Sequence, residues 1–291
     1  MKEVRIGTRG SLLAMWQANT LANRLLEAGY RPEIVTIKTT GDKRQDVSLA
    51  TIGGKGLFVK ELEEALARRE IDVAVHSLKD VPSLIPPEFV LAGFLERADP
   101  RDAWVHPEQL SIEELPAGSV IGTSAPRRRA QLLQRYPHLV VEEIRGNVDT
   151  RINKMHAGLY AGIILANAGL IRLGRQADVT SLFDVDTMIP AAGQGIIGIE
   201  VLRDHAEAYE AARAVTHPLS ETAALTERGV LQKFGERLDC TSAIAVHADG
   251  DIVRAFVSDL AGTRAIRAQG DSVDAVYEAL IAQGALELLQ D

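Results

Sequence analysis

At 291 residues the chain exceeds what one hydrophobic core usually serves, so two or three compact domains are expected. Its 46% hydrophobic residues exclude a disordered chain, and a single cysteine, Cys240, excludes an internal disulfide framework. A net charge of -8 with 4% aromatic residues argues against nucleic-acid binding, and no run approaches the ~20 apolar residues of a membrane span. Met1 to Arg9 carry no apolar run of the signal-peptide type, so a cytoplasmic protein is expected.

In chain order, Val4 to Ile6 reads as a short strand. A helix follows from about Ser11, with Leu12, Leu13, Trp16, Thr20 and Leu21 on one side. Ile34 to Ile37 is the next strand, and the polar, glycine-rich stretch 39–56 reads as a long mobile loop. Leu57 to Arg69 has a helical pattern; Ile71 to Val75 and Phe89 to Leu95 read as strands. Arg97 to Arg101, with Pro100, marks a crossing between domains. The alternation then resumes: strand at Val120–Ile121, helix Ala125 to Arg135, strand Leu139 to Ile144, helix Val148 to Gly158, strand Ala161 to Leu165. A turn at Ile189 to Gln194 precedes a strand at Gly198 to Val201. The last part has a helix near Leu219 to Phe234, strands at Ala243 to His247 and Ile252 to Ser258, and a final helix from Ser272 to Leu289. Such alternation predicts α/β architecture with mainly parallel sheets, followed by a smaller α+β unit.

Several segments carry chemistry. Gly53-Gly54-Lys55-Gly56 lacks the hydroxyl residue that must follow the lysine of a phosphate loop, so it predicts a loop offering Lys55 to an anion, or a plain hinge. In Gly122-Thr123-Ser124-Ala125-Pro126-Arg127-Arg128-Arg129, Ser124 suits an N-cap and Pro126 the first helical turn. Arginines there oppose the helix dipole, which marks either an anion site or a solvated basic face. Arg9, Arg145, Arg151 and Arg172 recur at or beyond strand ends, where α/β sheets bind ligands, and their joint placement predicts a cleft for a polyanion. His76-Ser77-Leu78-Lys79-Asp80 follows a strand; Asp80 is a turn partner of Lys79 or a carboxylate held ionised by cations. His76 reads as structural, and no Cys/His spacing suggests a metal.

Taken together, Thr8-Arg9-Gly10-Ser11, Gly53 to Glu61, Val75 to Pro82, Asp99-Pro100-Arg101-Asp102-Ala103, Arg145-Gly146-Asn147-Val148 and Ala192-Gly193-Gln194-Gly195 resemble the hydroxymethylbilane synthase (porphobilinogen deaminase) family. The resemblance is close over the first two thirds and looser beyond. It implies two type II periplasmic-binding-protein-like α/β domains with an interdomain cleft, plus a small C-terminal α+β domain. The corresponding boundaries are 1–96 with 196–215, 97–195, and 216–291. It also implies a monomeric, metal-free transferase of tetrapyrrole and heme biosynthesis, with porphobilinogen as its small-molecule substrate. Four porphobilinogen units would add head to tail to a dipyrromethane cofactor joined to Cys240 by a thioether, losing ammonia and releasing hydroxymethylbilane.

By match to the family pattern, Arg9, Ser11, Lys55, Arg145, Arg151, Arg172 and Gln194 fall to substrate. Cys240, Lys79, Asp80, Thr123, Ser124, Arg127, Arg128 and Arg145 fall to the cofactor. Every pyrrole unit carries an acetate and a propionate, and arginine pairs such groups bidentately. Asp80 is the expected catalytic residue, stabilising positive charge that develops on pyrroles and moving protons. The sequence departs from the family at Leu238-Asp239-Cys240-Thr241, where glycines usually precede the cysteine, and at Ala125, where a second serine is usual. A non-catalytic two-lobed polycarboxylate-binding protein of the same fold is the alternative.

Overall fold

The structure is a computed structural model that describes residues 1–38, 59–238 and 242–289. Lys55 and the whole of the expected loop 39–56, and Cys240 with Asp239 and Thr241, lie outside the described residues. The strands are β1 (Glu3–Thr8), β2 (Arg31–Thr36), β3 (Val73–Ser77), β4 (Phe89–Phe94), β5 (Asp102–Val105), β6 (Val120–Gly122) and β7 (Val140–Glu142). They continue with β8 (Gly162–Ala166), β9 (Ser181–Leu182), β10 (Ile197–Leu202), β11 (Ala243–Asp249), β12 (Ile252–Ser258) and β13 (Ala265–Gly270). The helices are α1 (Leu12–Glu27), α2 (Lys60–Ala67), α3 (Pro126–Arg135), α4 (Val148–His156) and α5 (Asn167–Arg172). The remainder are α6 (Ala206–Ala214), α7 (Pro218–Phe234), α8 (Val273–Ala282) and α9 (Ala285–Leu288).

The chain divides into two compact units, Met1–Ala98 with Gly195–Leu225, and Asp99–Gln194 with Thr226–Asp291. The first holds a five-stranded sheet of order β2-β1-β3-β10-β4. β1, β2 and β3 run parallel, and β10 returns antiparallel between β3 and β4. Strand β3 is buried at Val73, Ala74, Val75 and His76, as a central strand covered on both faces should be. One face packs Ile6, Val73, Val75 and Ile199 against Ala18, Leu21 and Leu25 of α1 and Ala208 and Ala211 of α6. The other packs Ala74 and Phe89 against Leu62, Ala65 and Leu66 of α2.

Ser11 caps α1 by accepting from Ala14 N–H at 3.3 Å, and Gly29, at φ +87°, follows its end in the left-handed conformation that suits glycine. The buried stripe of α1 is Gln17, Ala18, Leu21 and Leu25. The expected grouping of Leu12 and Trp16 with Leu21 is corrected, since both are exposed. At 100° per residue they point away from Ala18 and Leu25.

The second unit contains two sheets. The five-stranded one has order β7-β6-β8-β5-β9, with β6, β7 and β8 parallel and β5 antiparallel to β8. Gly162 of β8 leaves room for the wholly buried Trp104, whose ring would sit 2.1 Å from an added Cβ. The three-stranded antiparallel sheet β11-β12-β13 is covered by α8 and α9 through Val246, Val253, Ala255, Val276 and Leu280. Helix α3 packs on this sheet through Ala130, which meets Ala243, Ala245 and Phe256. The architecture is thus two α/β sheets and a small C-terminal α+β layer, the fold class expected, but the expectation of mainly parallel sheets is corrected: each five-stranded sheet is mixed, with two of its four pairings antiparallel.

Several local expectations need correction. The final helix is two, because Gly284 adopts φ +90° between α8 and α9. Strands β5, β9 and β13 and helices α5 and α6 are absent from the sequence reading. β5 is four residues long, too short for a period to register, and α6 is rich in alanine, which contrasts weakly with its polar neighbours.

Candidate functional site

In the first unit, the carboxyl ends of the parallel strands β1 and β3 lie at one edge. Arg9 follows β1, half-buried, and Ser11 opens α1. Thr8, wholly buried, donates its hydroxyl to Ala14 O at 3.1 Å, which fixes the strand-to-helix turn. Gln17 of α1 donates to Ser77 Oγ at 2.7 Å, pinning the helix to the end of β3. Beyond Ser77 the chain makes a short 3-10 turn, Leu78–Asp80, anchored by buried Leu78, whose N–H donates to Ile196 O at 3.0 Å. That anchor leaves Lys79 half-buried and Asp80 exposed. The edge therefore presents Arg9, Ser11, Lys79 and Asp80 from two neighbouring strands, with Ser11 also serving the helix cap.

Behind this edge lies a buried acid-base pair that sequence reasoning treated only as a structural histidine. His76 Nε2 is 2.9 Å from Glu200 Oε2, both residues buried. Glu63 on α2 has its carboxyl pushed up to about 7 by burial and by the charge of Glu200, opposed by His76.

In the second unit, the carboxyl ends of β6, β7 and β8 share an edge and lead into α3, α4 and α5. Arg151 of α4 donates to Ser124 Oγ at 3.1 Å and to Gly146 O at 2.8 Å, joining the turn after β6 to the turn after β7. Gly146 holds φ +112° there, and an added Cβ would sit 2.6 Å from Thr150. Arg145, in the same turn, pairs with Glu143 at 2.5 Å, and its carbonyl accepts from Lys154 at 3.0 Å. The expectation that Ser124 caps α3 is corrected: the cap position is Ala125, without a side-chain bond, and Ser124 serves Arg151 instead. Thr123 is buried and accepts from Ala125 N–H at 3.3 Å. Arg172, at the end of α5, is buried, and burial pushes its guanidinium down to about 10.

Arg127 and Arg128 do not point to solvent. Both are buried and converge on Asp102 at the start of β5, which is fully enclosed. Arg127 Nη1 is 2.6 Å from Asp102 Oδ2, and Arg128 Nη2 is 2.7 Å from Oδ1. Arg127 also donates to Ile189 O at 3.2 Å and Gln194 Oε1 at 3.1 Å, and Arg128 to Ile164 O at 3.1 Å. Gln194, itself wholly buried, donates to Asp102 Oδ1 at 2.8 Å and Pro100 O at 2.6 Å. Burial alone would push the Asp102 carboxyl up, but the two guanidinium groups outweigh it and hold it well below the usual range. Burial lowers Arg127, with Arg128 adding to the effect and Asp102 opposing it.

This answers the puzzle of arginines at a helix N-terminus. Asp102 compensates them from another strand, so the unfavourable dipole is offset through space. One buried carboxylate between two guanidinium groups leaves one excess positive charge. Such an imbalance is costly to bury and suits a further anion. The donor chemistry would suit a carboxylated pyrrole cofactor, whose acetate and propionate groups would offer such an anion. Asp102 was missed as a functional residue because its sequence neighbours give no hint that α3 folds back over it.

A family model, "Porphobilinogen deaminase, dipyromethane cofactor binding domain", matches residues 4–210. The chain is 44% identical to the porphobilinogen deaminase of Acidithiobacillus ferrooxidans (strain ATCC 53993 / BNL-5-31), over 99% of this chain and 97% of the relative. It is 45% identical to that of Thiobacillus denitrificans, over 99% and 98%. Against that of Bordetella parapertussis it is 43% identical, over 100% and 94%. Among solved structures, the methionine binding protein MetQ aligns at TM-score 0.48 and 14% identity over 79% of this chain and 94% of that one. A periplasmic substrate-binding protein of an ABC transporter from Coxiella burnetii aligns at TM-score 0.48 and 15% identity, over 77% and 96%. The full-length identity and the family match lead to one conclusion: this chain belongs to the porphobilinogen deaminase family.

Proposed function

We propose that the chain is a hydroxymethylbilane synthase, condensing four porphobilinogen molecules head to tail on a dipyrromethane primer and releasing ammonia and the linear tetrapyrrole. The observation that carries this reading is the buried cluster in which Arg127 and Arg128 share the single carboxylate of Asp102. When bound, the primer supplies the pyrrole carbon to which the first substrate couples. On this reading it is joined to Cys240, and Lys79, Thr123, Ser124, Arg127, Arg128 and Arg145 hold its carboxylates and ring groups. Arg128 keeps N–H capacity beyond Asp102 and Ile164 O, so it is the better placed of the buried pair to reach a ligand carboxylate.

Arg9, Ser11, Lys55, Arg145, Arg151 and Arg172 bind substrate and product carboxylates, with Gln194 in the hinge region. Asp80, exposed at a strand end beside Lys79, accepts and returns protons at the pyrrole N–H groups and stabilises positive charge there. The division into 1–96 with 196–215, 97–195 and 216–291 follows the three sheets and is part of the same proposal. So are a monomeric state and a cytoplasmic location. Among the described residues no helix is long and apolar enough to cross a membrane.

The test is intact-protein mass spectrometry with peptide mapping around Cys240, joined to an assay for ammonia and tetrapyrrole release from porphobilinogen. A dipyrromethane mass on Cys240 together with turnover is the expected result. An unmodified cysteine that stays so after incubation with porphobilinogen or preformed hydroxymethylbilane, without turnover, overturns the reading in favour of a non-catalytic polycarboxylate-binding protein.

A further inference from the structure

We infer that Glu227 is a positioning residue for this reaction, holding the C-terminal sheet and the Gln194 turn in one register with the arginine cluster. The inference rests on the proposed tetrapyrrole synthesis. Glu227 lies on α7 and is wholly buried. Its Oε2 accepts from Gly193 N–H at 2.6 Å, and its Oε1 accepts from Ala248 N–H of β11 at 2.8 Å. His247 Nδ1, also buried, is 3.3 Å from Oε1.

A buried carboxylate is retained only where donors meet its charge, and short bonds from backbone N–H groups are the strong kind. The two backbone donors also explain the residue type. Glutamine offers one carbonyl oxygen, and its amide would turn an NH2 group against one of the two N–H groups. Glu227 therefore clasps the 193–194 turn to β11. Gly193, at φ +73°, leads directly into Gln194, whose side chain bonds Asp102 and Arg127. The bonded path runs from β11 through Glu227 and Gly193 to Gln194 and the guanidinium groups. In the chain, Cys240 falls between α7 and β11, the two elements that Glu227 joins. The clasp thus fixes both flanks of the cofactor-bearing segment against the residues that hold the cofactor's carboxylates.

The experiment uses the cofactor-loaded full chain with Glu227→Gln, Gln194→Ala and the double variant. Turnover is counted per molecule carrying the dipyrromethane mass on Cys240. The expected result for Glu227→Gln is a fall in kcat of about 10- to 100-fold, from sub-ångström misplacement of the groups that hold the cofactor. KM should stay within about twofold, because the substrate's own contacts are unchanged. The double variant should be no slower than Gln194→Ala alone, since both act through one path. Additive losses, or a loss of stability with kcat unchanged in the loaded fraction, overturn the inference. Should Glu227→Gln fail to fold, Glu227→Asp, which keeps both oxygens and the charge, carries the same cycle. Failure of the functional reading is distinct, because it appears in the unaltered chain as absent mass and absent turnover. The clasp is then judged by the same cycle in urea unfolding, where additivity of the two substitutions overturns it.

Discussion

Asp80 and Asp102 occupy comparable places, each at the edge of an α/β sheet where its parallel strands end, under opposite conditions. Asp80 is exposed on a 3-10 turn, held through buried Leu78 and Val81 on either side of it in the chain. Asp102 is enclosed and claimed by two guanidinium groups and an amide. The contrast separates two uses of one side chain. A carboxylate committed to buried cations is fixed in charge and geometry, so it serves to aim other groups. A carboxylate that meets solvent can exchange protons and meet a substrate.

The sharpest way to break this comparison is to neutralise each acid in turn. Asp80→Asn should cut steady-state turnover by ~10²–10⁴-fold, the usual worth of a proton-transfer group. Its thermal midpoint should stay within a few degrees, because an exposed side chain is lost. Near-normal turnover would refute the catalytic role. Asp102→Asn should behave in the reverse manner, costing about 3–5 kcal/mol in urea unfolding by leaving two buried guanidinium groups without their anion. A loss below ~1 kcal/mol would remove the structural assignment.

The same pair predicts a pH signature. Because the folded Asp102 carboxyl is held below its ordinary value, its contribution is fully present above about pH 4 and lost as pH falls through the folded value. Unfolding free energies measured from pH 6 down to pH 2 should therefore lose part of their acid slope in Asp102→Asn, and an unchanged slope would count against the pairing. A smaller effect sharpens the comparison within the second unit. Arg151→Lys loses the fork that joins Gly146 O to Ser124 Oγ and should cost about 1 kcal/mol by urea titration. Equal stability would mean that the two turns hold without it.

A charge effect of another kind concerns Glu63. Its folded value of about 7 lies above the unfolded one, so it is neutral in both states only below about pH 3, and it destabilises increasingly as pH rises through about 4 to 7. Glu63→Gln should raise the thermal midpoint at pH 8 and leave it unchanged at pH 3. A rise at both would point to packing rather than charge.

The periodic elements were legible in the sequence where they are long or continuously apolar, as in α1, β3 and β12. The order of basic motifs at strand ends was legible too, because strand-helix alternation puts such residues at one sheet edge whatever the strand order. Glycine signals were partly legible. Gly146 was singled out within a motif, but its need, a left-handed backbone pressed against Thr150, is a matter of three dimensions. Ser124 was assigned the wrong partner, because a cap and a contact to Arg151 look alike in one dimension.

The sequence by itself determined the fold class, the clustering of basic residues at the strand ends and the family, since these rest on residue types and their spacing along the chain. Tertiary structure alone decided that Arg127 and Arg128 are buried against Asp102, that His76 pairs with Glu200, and that Glu227 clasps Gly193 and Ala248. The reason is physical. Whether a charged group is buried, and which opposite charge or donor meets it, depends on chain segments distant in sequence, and local propensity carries no record of them.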